Sequence, residues 1–223
     1  MNEEKSTCAS STSTSSSWNS IDWKKCECRV RKLQVRIAKA CNEGRYNKVK
    51  SLQRLLVTSF SAKALAVKRV TSNKGKRTSG IDHVKWTTPE LKMSGIQSLR
   101  KRGYRPSPLK RIYISKSNGK KRPLGIPTMK DRSMQALYLQ SLEPVTETQA
   151  DGDSYGFRRY RSAADAIEML HSCLSHHNSA QWVLEGDIKG CFDHISHDWL
   201  LTHIPMDKDI LRKWLECGVV FNK

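Results

Sequence analysis

Acidic side chains are scarce where basic ones are dense. Residues 24–132 hold 5 Asp and Glu against 31 Lys and Arg, a local charge of +26. Residues 133–223 carry −5, so the chain's total of +19 is concentrated in one block. Such an excess repels itself unless a polyanion neutralises it. Nucleic acid fits that role, through contacts that weaken steeply with salt. A merely soluble basic surface would not confine its charge in this way.

Other absences narrow the class further. The 7 Cys are odd in number and include no C-x-x-C pair. That argues against a zinc site or a disulfide framework and for reduced, intracellular thiols. No apolar run approaches membrane-spanning length, which removes a membrane partner. The first residues include Glu3 and Glu4 and no apolar core, unlike a secretory signal. The same acids argue against an organelle transit peptide, and a cytoplasmic location is expected.

At 223 residues, 37% of them hydrophobic, the chain has room for one medium domain or two small ones. Residues 1–17 contain 10 Ser and Thr and read as a disordered tail. Residues 18–103 read as a basic helical region. Val30, Leu33, Ile37 and Cys41 recur at helical spacing from Lys24 to Asn42, and Gly44 closes that helix. A second helix is expected from Tyr46 to Val70, with Val49, Leu52, Leu55, Leu56 and Phe60 on its apolar side. A basic loop spans residues 72–80. Thr88-Pro89 then opens a helix with Met93, Ile96 and Leu99 as its stripe, ending near Gly103.

Residues 104–223 begin with two extended runs, Leu109–Ser115 and Lys121–Ile126, around Asn118-Gly119, a hairpin signal. Pro123 marks the return strand as short or as an edge. A helix is expected from Thr128 to about Leu142, another from Ser162 to His176, and a strand from Trp182 to Asp187. Two helices, Ser196–Ile204 and Asp207–Glu216, follow. The pattern is α+β.

Three segments can carry chemistry. Lys116 and Arg122 bracket the hairpin turn, where a point charge and a guanidinium fork can meet one triphosphate. An ordinary solvated hairpin tip has the same charges. In Ser154–Arg161, Tyr155, Phe157 and Tyr160 alternate with Arg158, Arg159 and Arg161. Rings stack on bases while guanidinium groups hold the backbone, yet the same rings serve equally in a core. Asp187 at a strand end can bind Mg²⁺ with the Ile188 carbonyl beside it, or simply cap the next turn. Spacing alone leaves the first two pairs of readings open and, for Asp187, favours the cap. His194 and His197 have no acidic or thiol partner at matching spacing and read as surface residues.

Seven motifs occur in order. They are Lys63-Ala-Leu-Ala-Val-Lys-Arg-Val-Thr71, Thr78-Ser-Gly-Ile-Asp82, Arg102-Gly-Tyr-Arg-Pro-Ser-Pro-Leu109 and Ile112-Tyr-Ile-Ser-Lys116. Lys121-Arg-Pro-Leu-Gly-Ile-Pro-Thr-Met-Lys-Asp-Arg132, Ser154-Tyr-Gly-Phe-Arg158 and Asp187-Ile-Lys-Gly-Cys-Phe-Asp193 complete the set. As an ordered series this resembles the N-terminal half of a group II intron reverse transcriptase/maturase of the bacterial or cyanobacterial type, from about Trp18 to Val220.

The resemblance implies a partial right-hand polymerase, with fingers at the hairpin and a palm beginning at Asp187. It implies that Asp187 and the Ile188 carbonyl are metal ligands for Mg²⁺ and that Asp187 is catalytic. Phe192 would lie under the sugar of the incoming nucleotide and disfavour a 2′-OH. Lys116 and Arg122 would grip its triphosphate. Lys63, Lys68, Arg69, Lys74, Lys76 and Arg77, with Arg158, Arg159 and Arg161, would contact nucleic acid. The implied partners are intron RNA and an RNA template with its DNA primer.

One departure stands out. The family's second metal-binding motif is an adjacent Asp-Asp pair, and none occurs in this sequence. Two-metal phosphoryl transfer needs several carboxylates around its cations. This polypeptide alone is therefore expected not to polymerise. A truncated or split reverse transcriptase completed by a complementing C-terminal chain fits, as does a non-enzymatic intron-binding or splicing fragment, or a decayed reading frame.

Overall fold

A computed structural model describes residues 17–221, apart from Lys116 and Asn118. The expected Ser/Thr-rich tail, residues 1–17, lies outside the described residues except for Ser17.

Helix α1 (Trp23–Asn42) starts where the Asp22 carboxylate accepts the Lys25 N–H, and Gly44 at φ +66° turns the chain out of it. Val30, Ile37 and Cys41 face the core, as their spacing predicts. The single helix expected over residues 46–70 is instead two, α2 (Tyr46–Thr58) and α3 (Phe60–Ser72). Ser59 makes the break: its backbone is extended, its hydroxyl donates to the Leu56 carbonyl, and its Oγ accepts the Ala62 N–H. The break also turns Leu55 and Phe60 outward, each about half exposed, while Gln53 is buried. The Gln53 amide offsets that burial by donating to the carbonyls of Ser141 and Pro205 at 3.1 and 2.9 Å.

Helix α4 (Pro89–Ser98) has the expected Thr88 cap and leading proline. Helix α5 (Met129–Gln149) packs against α1, α2 and α3 and forms the spine of the helical core. It runs past the expected end near Leu142 despite Pro144 in its interior. Proline cannot donate to the carbonyl four residues back, here Gln140. The side-chain amide of Gln34 on α1 takes that carbonyl at 2.9 Å, so the helix continues at little cost.

The sheet has the order β2-β1-β3. Strands β1 (Leu109–Ser115) and β2 (Lys121–Ile126) form the expected antiparallel hairpin, and Pro123 lies on the edge strand opposite Tyr113. Strand β3 (Val219–Phe221) pairs parallel to β1, a contact between distant segments that no local pattern signals.

Helices α6 (Ala163–Leu174), α7 (His197–His203) and α8 (Lys208–Glu216) follow their caps, Ser162, Ser196 and Asp207. The expected strand Trp182–Asp187 does not form. A strand requires a ladder partner, and no described strand lies beside it. Trp182 and Leu184 are almost fully exposed instead, and Val183 is largely so. The architecture is thus mixed α+β, a helical core carrying a small sheet.

Candidate active site and nucleic-acid interface

The first turn of α5 organises the basic region. The Asp131 carboxylate is buried and accepts from Tyr104 Oη at 2.7 Å, Thr128 Oγ1 at 2.7 Å and the Ser107 N–H at 3.1 Å. Trp214 on α8 donates Nε1 to Tyr104 Oη at 2.9 Å, and Lys213 donates to the Tyr104 carbonyl at 2.9 Å. Burial and the Asp131 hydrogen bond push the Tyr104 phenol well above its ordinary pKa. This network fixes the segment that leads into β1 and hence the base of the hairpin.

The next residue, Arg132, reaches the other way. Its guanidinium donates to the carbonyls of Pro127, Gly75 and Thr78 at 2.9, 2.9 and 2.8 Å. It thereby ties the basic loop to the start of α5. Gly80 seals the junction: a Cβ there would lie 2.7 Å from the Thr128 backbone. Lys74, Lys76 and Arg77 stand exposed on the loop so held. Sequence reasoning missed Arg132, which places this loop, and Asp131, which places the Tyr104–Ser107 segment. An acid in a helix's first turn reads as an ordinary dipole partner.

The other cations differ in their surroundings. Lys68 pairs with Glu27 at 3.2 Å and lies 4.7 Å from the Trp23 ring centroid. Arg69 is exposed and Lys63 is half-buried. Arg158 grips Glu147 with two nitrogens, at 3.1 and 2.7 Å, and only 10% of its side chain is exposed. That bond holds the Glu147 carboxyl below its usual range. Arg159 pairs with Glu143 at 3.2 Å, and Arg161 donates to the carbonyls of Gly152 and Ser154. Arg158 and Arg159 pin their loop to the end of α5, and Arg161 closes the loop on itself. Phe157 and Tyr160, both at positive φ, are left almost fully exposed.

Arg122 is exposed on β2 opposite Ile114, whereas Lys116 lies outside the described residues. Asp187 and Ile188, before Gly190, and Phe192, after it, are exposed, and Gly190 itself turns at φ +64°. A two-metal site needs clustered oxygen donors. Among the described residues no group of three His, Cys, Asp or Glu comes together in a way that could hold a metal. Asp187 and the Ile188 carbonyl therefore do not by themselves make a seat for such ions.

Residues 18–99 match the model of the N-terminal domain of reverse transcriptase. Residues 114–222 match that of reverse transcriptase (RNA-dependent DNA polymerase). The chain belongs to the reverse transcriptase family. The stretch between the two matches holds the Tyr104–Ser107 segment and the first part of β1, so the Asp131 network ties this connecting stretch to the second matched region. Among similar reverse-transcriptase-related proteins is the group II intron-encoded protein LtrA of Lactococcus lactis subsp. cremoris. It is 38% identical over 167 residues, covering 71% of this chain and 27% of LtrA. Protein YkfC of Escherichia coli is 38% identical over 162 residues, 69% of this chain and 42% of YkfC. An uncharacterized 91 kDa protein in the cob intron of Schizosaccharomyces pombe is 35% identical over 162 residues, 69% of this chain and 20% of that protein. The chain thus spans less than half the length of these relatives.

No helix is long and apolar enough to cross a membrane among the described residues.

Proposed function

We propose that this chain is the fingers side and the first part of the palm of a group II intron-encoded RNA-directed DNA polymerase, and that it binds intron RNA and the RNA template with its DNA primer. The observation that carries the reading is the basic loop at Lys74, Lys76 and Arg77, exposed yet held by the three carbonyl contacts of Arg132. A tethered cationic loop meets phosphates with less ordering cost than a free one. Lys63, Lys68, Arg69, Arg159 and Arg161 extend the contact, while Arg158 acts by holding its loop.

In a completed site, Asp187 and the Ile188 carbonyl would hold Mg²⁺, which would supply Lewis-acid stabilisation of the transferring phosphoryl group. Phe192 sits against the sugar, and Lys116 and Arg122 take the triphosphate. The remaining carboxylates come from a complementing palm segment. A second reading, an RNA-binding or splicing fragment without polymerase activity of its own, is favoured by the lack of a carboxylate cluster around Asp187 among the described residues.

The test is a titration of the 223-residue chain with structured intron RNA across salt concentrations. Tight binding with a steep inverse dependence on salt is expected. Weak, salt-independent binding removes both readings.

A further inference from the structure

A cavity of about 300 Å³ opens between the end of α2, the start of α3, the end of α4 and the middle of α5. Leu99, Leu137 and Tyr138 form its apolar floor, and Lys63, Arg100, Lys101 and Arg102 stand around it. Among the described residues no carboxylate lines it. Lys101 is already neutralised, by Asp207 at 2.5 Å and Asp209 at 3.1 Å. Lys63, Arg100 and Arg102 form no ion pair among the described residues.

Lys63 is the unusual member. It is half-buried, and both burial and the neighbouring Arg100 cation draw its pKa down. Holding two cations close together over an apolar floor is unfavourable until an anion joins them. The groups around the cavity suit a phosphate: one ammonium as a point charge and two guanidinium forks. The low-dielectric floor strengthens each of those contacts.

We propose that this cavity is a phosphate site, in which Lys63, Arg100 and Arg102 take one nucleotide phosphate of a bound RNA strand. Neither Asp187 nor a residue of the loop at Lys74–Arg77 lines it. It rests on the reading of the chain as an RNA-binding protein and adds a specific anchoring point to it. With a phosphate seated, the Lys63 ammonium is stabilised and its pKa returns upward.

The experiment uses the 223-residue chain and a fluorescently labelled single-stranded RNA, with affinity measured by anisotropy over a salt series. Lys63→Met and Arg100→Gln should each weaken binding about threefold to tenfold and reduce the log–log salt slope by about one. Lys101→Met should leave both unchanged. A Lys74→Gln/Lys76→Gln variant reports on the basic loop alone. If that variant weakens binding while Lys63→Met and Arg100→Gln match the parent, the phosphate site is wrong and the RNA-binding reading stands. If no variant changes binding, both fall. A second measurement needs no substitution: NMR of the isotopically methylated protein follows the Lys63 amine titration. An upward shift on adding RNA is expected. A shift with inorganic phosphate but none with RNA overturns the strand assignment, and no shift with either overturns the site.

Discussion

Tyr104 donates its phenol hydrogen to Asp131 across 2.7 Å and accepts one from Trp214 at 2.9 Å, so one hydroxyl links the approach to β1, the first turn of α5 and α8. All of this is buried or nearly so, and a buried polar group left without its partner costs more than the bond itself. Tyr104→Phe leaves both Asp131 Oδ1 and Trp214 Nε1 without a partner. It should destabilise the protein by about 1–3 kcal/mol. Asp131→Asn replaces one acceptor oxygen with a donor facing other donors and should cost about 2–3 kcal/mol. Urea unfolding checks both, and midpoints equal to the parent's would refute the hub. Because the network sets the base of the hairpin, Tyr104→Phe should also increase amide exchange across β1.

Alkaline pH probes a neighbouring group. Burial pushes the Tyr138 phenol up from 10.0 to about 12, the nearby Asp207 carboxylate adding to the shift. The raised value means the fold favours the neutral phenol. Its contribution is complete below pH 10 and is lost as the pH climbs from about 10 towards 12. In that window stability should fall by about 1.4 kcal/mol per pH unit on account of this group. Tyr138→Phe should flatten the fall relative to the parent. Parallel stability–pH curves for the two proteins would show that the phenol is not shielded.

Much of the helical core is legible in the sequence because its determinants are local. Asp22, Thr88, Ser162, Ser196 and Asp207 cap the helices that their spacing announces. The β1–β2 hairpin likewise follows from its turn and its flanking runs. The α2–α3 break is local, set by Ser59, but three other features depend on a partner far away in the chain. Pro144 would end α5 were Gln34 not beside the freed Gln140 carbonyl. Strand β3 exists because β1 offers it an edge. Trp182–Asp187 has strand composition but no described neighbour to pair with. Of the candidate site, the basic loop is readable as charge, whereas its anchoring by Arg132 is not, since three backbone carbonyls leave no trace in residue identity.

The exposed stretch from Trp182 to Phe192 gives the palm assignment its clearest test. Trp182 and Leu184 are more than 90% exposed and Phe192 81% exposed, an apolar set that gains free energy when covered. A polypeptide carrying an Asp-Asp hairpin and the remaining palm and thumb should cover it and complete the carboxylate set. Mixed with such a partner, the chain should extend an RNA-templated primer, and neither polypeptide should do so by itself. Asp187→Ala in the mixture should lower extension at least a thousandfold, since a lost metal ligand removes several kcal/mol of transition-state stabilisation (a thousandfold is about 4 kcal/mol). The same variant should still bind its partner, because burial of Trp182 does not depend on the carboxylate. Acrylamide quenching of Trp182 fluorescence, with a Trp182→Phe control, measures that separately. Protection of Trp182 with unimpaired extension by Asp187→Ala would keep the palm assignment and remove Asp187 from the chemistry. Extension without protection would place the palm elsewhere.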